Sequence, residues 1–189
     1  MRKLLRRQDW PTIAVLVTIG ATIVVLRGLG RPWWCECGQW RLWVPDAFSS
    51  HTSQHLADPY SLTHLQHGLV LFWLVTWLLP KWRMPWQLWL ALALEAGWEI
   101  LENSPLIIDR YRTTTATLGY TGDSILNSVG DLFACWAGFM LARKIGWRGC
   151  VELFFAIEAI LLITIRDSLL MNILMLGFDI QWLKAWQVG

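Results

Sequence analysis

The sequence predicts an all-α membrane protein, a polytopic bundle of about five transmembrane helices with two ordered periplasmic loops. Hydrophobic residues make up 55% of the 189 residues and charged residues only 16%, whereas soluble domains carry about a quarter charged residues. The mean hydropathy is +0.40, and the apolar residues form runs long enough to cross a bilayer. The 15 tryptophans suit a small protein with many membrane–water interfaces. The net charge of +2, without a basic aromatic patch, argues against nucleic-acid binding.

The apolar runs define five predicted spans, and no repeat or linker divides them, so residues 1–189 are expected to form a single domain. Prolines lie at or just beyond several span ends, where a missing amide proton does least damage. The basic, apolar N-terminus resembles a signal sequence, but no small-residue cleavage site follows it, so we expect an uncleaved first helix. The predicted spans cover about 12–26, 61–79, 86–103, 124–142 and 151–170.

Basic residues are distributed unequally between the two sides of the predicted bundle. Nine lie on one side, namely Arg2, Lys3, Arg6, Arg7, Lys81, Arg83, Arg143, Lys144 and Arg148. Five lie on the other side, namely Arg31, Arg41, Arg110, Arg112 and Lys184. Because the more basic side is normally cytoplasmic, the N-terminus is predicted in the cytoplasm and the C-terminus in the periplasm of a bacterial inner membrane. The long connections 27–60 and 104–123 are then both periplasmic, where loops are expected to carry function.

All four histidines lie close together in the sequence. His51 and His55 belong to the first long loop, while His64 and His67 stand at the entrance of the second span. Residues three apart share one face of a helix, so His64 and His67 are expected to project together.

Acidic and amide side chains form stripes on two further spans at the same membrane level. Charges at this depth are costly, so they normally face the bundle interior and pair there, which predicts a shared polar cavity. The stripes are Glu95, Glu99 and Glu102 on the third span and Asp123, Asn127 and Asp131 on the fourth.

This cavity suits a lipid or lipid-linked substrate, and two chemistries are open. Either a histidine acts as general base, or imidazoles and carboxylates bind a divalent zinc, manganese or iron ion. The predicted catalytic residues are His64, His67, Glu99, Glu102 and Asp123. The predicted metal ligands are His64, His67, Glu102 and Asp123. The predicted substrate-binding residues are Arg110, Arg112, His55, Asn103 and Asn127, with the arginines on the head group.

Other interpretations of the same residues stay open. The histidines can be interfacial, and the stripes can be contacts between helices. The chain is then an accessory subunit or assembly factor that holds another membrane protein, a lipid or a cofactor. A small transporter would need a path through mid-depth groups such as Glu95, Asp131 and Glu158. A disulfide within Cys35-x-Cys37 would be strained, which leaves a free pair, a metal-bound pair or a crosslink elsewhere.

Five sequence blocks are distinctive, namely WWCECG, SQHLADPYSLTHLQHG, EAGWEILENSPLIIDRYR, GDSILNSVGD and IRDSLLMNILMLGF. Together they resemble a known bacterial family, the domain of unknown function 2585, also called uncharacterised protein family 0314. The resemblance covers about residues 31–178 and implies a multi-pass inner-membrane protein, without an assigned activity. The pattern Asp123-x-x-x-Asn127-x-x-Gly130 is also similar to the polar fourth-helix signature of VanZ-like membrane proteins.

Overall fold

The computed structural model describes residues 9–115 and 119–188, which form seven α-helices and no β-strand. The basic residues Arg2, Lys3, Arg6 and Arg7, which support the predicted cytoplasmic N-terminus, lie outside the described residues. The helices are α1 Trp10–Gly28, α2 Ser61–Leu78, α3 Met84–Glu102, α4 Pro105–Thr114, α5 Ile125–Ile165, α6 Leu169–Gly177 and α7 Gln181–Val188.

The first three predicted spans correspond to α1, α2 and α3, whose ends differ from the predicted ones by at most two residues. Pro11 and Pro85 lie in the first turn of α1 and α3, where no intrahelical bond needs the missing amide proton. Long apolar runs bounded by such prolines therefore located these three helices correctly.

The fourth and fifth predicted spans belong to one element, α5, which is interrupted at Gly146. This glycine has φ 69° and ψ −179°, a conformation that residues with a Cβ rarely adopt. Gly138, before the interruption, lies against the backbone of Leu65 in α2, and Leu161, after it, belongs to a cluster that also contacts Leu65. Because both halves of α5 contact the same turn of α2, the chain reverses direction at Gly146, inside the predicted connection between the two spans.

The second half of α5 ends at Ile165, short of the predicted limit near residue 170. Arg166 adopts a left-handed conformation with φ 53°, and Ser168 caps the next helix. The buried carboxylate of Glu158 accepts a hydrogen bond from the amide of Leu169 at 3.1 Å, which satisfies a free donor at the start of α6. As a result α5 and α6 meet at an angle of 73° rather than continuing as one straight span.

The second long connection contains a short helix that the apolar pattern did not predict. Ser104 caps α4 by accepting a hydrogen bond from the amide of Ile107, and Pro105 occupies its first position. Caps of this kind start a helix without a long apolar run. The first long connection, residues 29–60, contains turns and irregular structure only.

Polar and apolar residues are distributed unusually between the interior and the surface. Buried polar residues are about as numerous as buried apolar ones, while Val24, Trp77 and Ile163 are each more than 70% exposed. Among the described residues, α1 alone is long and apolar enough to cross a membrane by itself. The bent pair of α5 and α6 meets the same criterion jointly. Polar side chains lower the hydropathy of α2 and α3, and the five-span arrangement stays a prediction.

Candidate active site

A cavity of about 970 Å³ lies between α2, α3, α5 and α6, with residues 47–54 and 119–123 along its edge. One part of its wall carries histidines and carboxylates from three different helices. The rest is mainly apolar, and includes Val70, Leu71, Leu94, Phe154, Leu169, Leu170, Ile173 and Leu176. A cavity of this size accommodates a small molecule or part of a lipid.

At the polar wall, two histidines of α2 share one carboxylate of α3. Nδ1 of His64 lies 2.6 Å from Oε1 of Glu95, and Nδ1 of His67 lies 3.0 Å from both oxygens of the same carboxylate. A carboxylate only accepts hydrogen bonds, so Nδ1 of each ring carries a proton, and in a neutral ring Nε2 keeps its lone pair. His67 is the more accessible of the two, with 20% of its side chain exposed against 7% for His64.

Two further carboxylates surround His64. Oε1 of Glu99 lies 3.3 Å from its Nδ1, and Oδ2 of Asp131 lies 3.9 Å from its Nε2. Ser61 donates a hydrogen bond of 2.7 Å to the other oxygen of Asp131. Both carboxylate oxygens of Glu99 are buried without a hydrogen-bond partner among the described residues. A buried carboxylate in this state requires a positive charge or a proton nearby, and His64 is the closest group that provides one.

A second acidic pair lies towards the loops. The hydroxyl of Tyr111 donates to Glu102 at 2.9 Å, and that of Tyr120 donates to Asp123 at 2.8 Å. Asn103 forms two hydrogen bonds with Asp123, one donated by its side-chain amide at 2.8 Å and one accepted from the backbone amide at 2.7 Å. Burial raises the pKa of the Asp123 carboxyl above its ordinary value, although these donors oppose the shift. Asn103 therefore positions Asp123 rather than facing the cavity.

The predicted substrate-binding arginines are engaged elsewhere. Arg110 donates to the backbone carbonyl of Leu176 at 2.9 Å, and Arg112 donates to that of Tyr120 at 2.6 Å. Neither arginine lines the cavity. In this structure Arg110 links α4 to α6 and Arg112 links α4 to the loop at Tyr120, and their role in binding a head group stays a prediction.

The other two predicted substrate-binding residues lie in different places. Asn127 lines the cavity, and its side-chain nitrogen is buried without a partner among the described residues, so it is available to a ligand. His55 is buried outside the cavity, with its Nε2 3.8 Å from the sulfur of Cys37.

Two groups at the cavity have the composition and spacing to hold a metal ion, and they share His64. One consists of His64, His67 and Glu95, and the other of His64, Glu99 and Glu102. In each group the potential ligand atoms lie within 4.8 Å of one another. Asp123, also predicted as a ligand, belongs to neither group.

Glu95, which contacts both histidines, is predicted from the sequence as part of the acidic stripe and as a mid-depth group, but not as a catalytic residue. The spacing of the residues indicates that Glu95 belongs to the site, because Glu95 precedes Glu99 by one helical turn on the face that carries the predicted site. Tyr111 and Tyr120 do not belong to the predicted site, because no local pattern distinguishes such tyrosines from interfacial ones. Their contacts depend on how the second long connection folds.

Comparison with known proteins places this architecture in a family. Residues 26–189 match the family described as Protein of unknown function (DUF2585). The chain is 42% identical over 183 residues to a UPF0314 protein of Sphingopyxis alaskensis, covering 97% of this chain and 96% of the relative. It is 40% identical over 189 residues to one of Paracoccus denitrificans, covering 100% and 97%. No solved structure matches the chain. The resemblance predicted from the sequence blocks is thus confirmed, and the chain belongs to the DUF2585 family of UPF0314 proteins.

Proposed function

We propose that this protein is a multi-pass inner-membrane hydrolase or transferase that acts on a lipid or lipid-linked substrate at the periplasmic leaflet. The observation that carries the proposal is the sharing of Glu95 by two histidines at the wall of a large, mainly apolar cavity. Such a cavity offers polar groups to a reacting head group and apolar side chains to its tail.

The distribution of residues supports membrane embedding. Apolar side chains such as Val24, Trp77 and Ile163 are exposed, while carboxylates and imidazoles are buried. In water this arrangement would leave a large apolar surface uncovered, whereas lipid tails would cover it. Ionisable groups inside a bundle normally face a cavity and mark a functional pathway.

The two ends of the bundle support the proposed orientation. The loops at the cavity edge, residues 47–54 and 119–123, belong to the two long connections. The turn between α2 and α3 carries Lys81 and Arg83, and the reversal at Gly146 is flanked by Lys144 and Arg148. The first turn follows the C-terminal end of α2, and Trp147, beside Gly146, packs against Trp73 near that same end. The cavity edge lies towards the other end, near Ser61, so the basic residues lie away from it. The positive-inside tendency then directs the cavity towards the periplasm.

In the proposed reaction His67 is the general base, because it is the more exposed histidine. With Nδ1 protonated against Glu95, the neutral ring has a lone pair on Nε2. Nε2 takes a proton from water, for a hydrolase, or from an alcohol, for a transferase. The oxygen attacks the carbonyl carbon or phosphorus of the substrate, the bond to the leaving group breaks, and the protonated imidazole returns the proton to that group. Glu95 orients both rings and stabilises the imidazolium.

A divalent metal is the alternative means of activation at this site. His64, Glu99 and Glu102 would hold it, and it would lower the pKa of a bound water. The contacts of Glu95 with the histidines, at 2.6–3.0 Å, are hydrogen-bond distances. Two ligands of one tetrahedral zinc ion would be about 3.4 Å apart. We therefore assign the pair of histidines on Glu95 to proton transfer.

The test replaces Glu95 by glutamine, which keeps the shape and removes the ionisable acceptor. In a deletion strain of a bacterium that encodes a family member, lipid extracts are compared by mass spectrometry after complementation. Wild-type protein should restore the lipid profile, while Glu95→Gln and His67→Ala should fail at normal abundance. Loss of a general base lowers the rate by about 10²–10⁴-fold. The matched control is Glu152→Gln, which changes an exposed carboxylate of α5 and should restore the profile.

Two outcomes would refute the proposal. One is an identical lipid profile in the deletion and parent strains. The other is full restoration by both Glu95→Gln and His67→Ala. The second result would favour the accessory-subunit interpretation, since an amide still hydrogen-bonds across a helix interface.

A further inference from the structure

We propose that Cys35, Cys37, His51 and His55 bind one zinc ion, and that this ion fixes the loop between α1 and α2. The four residues lie outside the cavity, in a segment of the chain without helix or strand. This metal site is separate from the proposed catalytic site, and the proposal of zinc binding does not depend on the proposed catalytic function.

The distances between the side chains fit a tetrahedral site. The sulfur of Cys35 lies 3.3 Å from Nδ1 of His51, and the sulfur of Cys37 lies 3.8 Å from Nε2 of His55. All four potential ligand atoms lie within 4.8 Å of one another. With zinc–sulfur bonds of about 2.3 Å and zinc–nitrogen bonds of about 2.0 Å, sulfur and nitrogen ligands of one ion are about 3.5 Å apart. The two observed distances lie on either side of this value.

The backbone around the cysteines forms a turn that brings both sulfurs together. The amide of Cys37 approaches the sulfur of Cys35 at 3.4 Å, and the amide of Gly38 donates to the carbonyl of Cys35 at 3.2 Å. Gly38 has φ 71°, which a glycine adopts without strain. Amide hydrogen bonds to a ligating sulfur are a common second layer of metal sites.

Burial gives an independent reason to expect a ligand. His55 is 1% exposed, and among the described residues the only hydrogen-bond partner of its ring is the Cys37 sulfur, 3.8 Å from Nε2. Cys35 is also buried, at 4% exposure. Burying an imidazole with so few partners is unfavourable, and a metal bond on the ring would offset that cost.

The chemistry of the four ligands selects the metal. Two thiolates and two imidazoles in a tetrahedral arrangement are typical of structural zinc sites. The spacing is also close to the usual zinc pattern, in which a short cysteine pair precedes a histidine pair separated by three to five residues. Here 13 residues separate Cys37 from His51, and three separate His51 from His55. The sequence differs from the usual pattern in one respect, because a single residue separates the two cysteines, whereas the usual pattern has about two to four.

The location indicates what the ion would do. Residues 47–50 and 52–54, on either side of His51, form part of the cavity edge. The same segment contacts the N-cap of α5, because the carbonyl of Ser53 accepts a hydrogen bond from the amide of Ser124 at 2.8 Å. A bound ion would close a ring of about twenty residues and hold this segment against the cavity, in a region with little regular structure to do so.

The test uses full-length protein purified in detergent with a phosphine reductant, freed of metal and titrated with Co²⁺. Cobalt bound by thiolates gives a charge-transfer band in the near ultraviolet. Wild-type protein should reach about one equivalent, and Zn²⁺ should abolish the band. Cys35→Ser and Cys37→Ser should each reduce it strongly, whereas Cys135→Ser and Cys150→Ser, which remove the two helical thiols, should leave it intact.

The titration of wild-type protein tests zinc binding even if a variant does not fold. Absence of a thiolate–cobalt band in reduced, folded wild-type protein would overturn the proposal, as would loss of the band in Cys135→Ser alone. A second readout is alkylation of Cys37, the exposed thiol of the pair. Zn²⁺ should slow its reaction with a maleimide by at least about tenfold, because a metal-bound thiolate is a poorer nucleophile. An unchanged rate would contradict zinc binding.

Discussion

Gly68 and Gly138 lie where the backbone of α2 meets that of α5, in the most extensive helix contact of the described residues. A Cβ atom on Gly68 would lie 2.1 Å from the carbonyl oxygen of Cys135, and one on Gly138 would lie 2.0 Å from that of Leu65. In both cases the obstacle is backbone, which cannot rotate away. We therefore predict that Gly68→Ala and Gly138→Ala each force the two helices apart.

The size of the effect follows from this geometry. Ordinary contact begins at 3.4 Å, so the Gly68→Ala methyl group requires a displacement of about 1.3 Å, the difference between 3.4 and 2.1 Å. Overpacking lowers the free energy of unfolding by up to about 3 kcal/mol. The higher helix propensity of alanine offsets about 1 kcal/mol of this loss. The net loss is about 2 kcal/mol, which lowers the melting temperature of a chain of this size by about 4–8 °C.

The assay is thermal unfolding of detergent-purified protein, followed by circular dichroism. Gly97→Ala in α3 is the matched control, because no atom lies within 4 Å of the added Cβ. The control should melt at or above the wild-type temperature. If Gly68→Ala and Gly97→Ala shifted the melting temperature equally, the close approach of α2 and α5 would be wrong, and with it the position of His64 beside Asp131.

Two further predictions address topology and pH. Reporter fusions at Ser50 should be periplasmic and fusions after Lys144 cytoplasmic, because the basic turns and the cavity edge lie at opposite ends of α2, and the same location for both would refute the orientation. Burial raises the pKa of the Asp123 carboxyl above its ordinary 3.8. The protonated carboxyl therefore contributes to the free energy of unfolding below pH 3.8, and this contribution is lost as the pH rises through the raised pKa. Asp123→Asn should therefore reduce the decline of the melting temperature with rising pH in that window, and an unchanged pH profile would show that Asp123 does not titrate there.

Local sequence patterns were sufficient to predict the features that depend only on residues close together in the chain. Apolar runs bounded by proline located α1, α2 and α3, because a helix of that length and composition forms within its own segment. Spacings of three and four residues correctly placed His64 and His67 on one face and aligned Glu95 with Glu99. The periodicity of the helix alone determines which side chains share a face.

The tertiary structure decided which faces meet. Helical periodicity leaves the rotation and depth of α3 against α2 undetermined, and packing, including the close approach at Gly68, sets them. Both histidines therefore meet Glu95 first, although the sequence favoured Glu99 and Glu102. The sequence by itself determined α1, α2 and α3 and the residue types of a polar site. The partners of each side chain depended on contacts between segments distant in the chain, which no local pattern encodes.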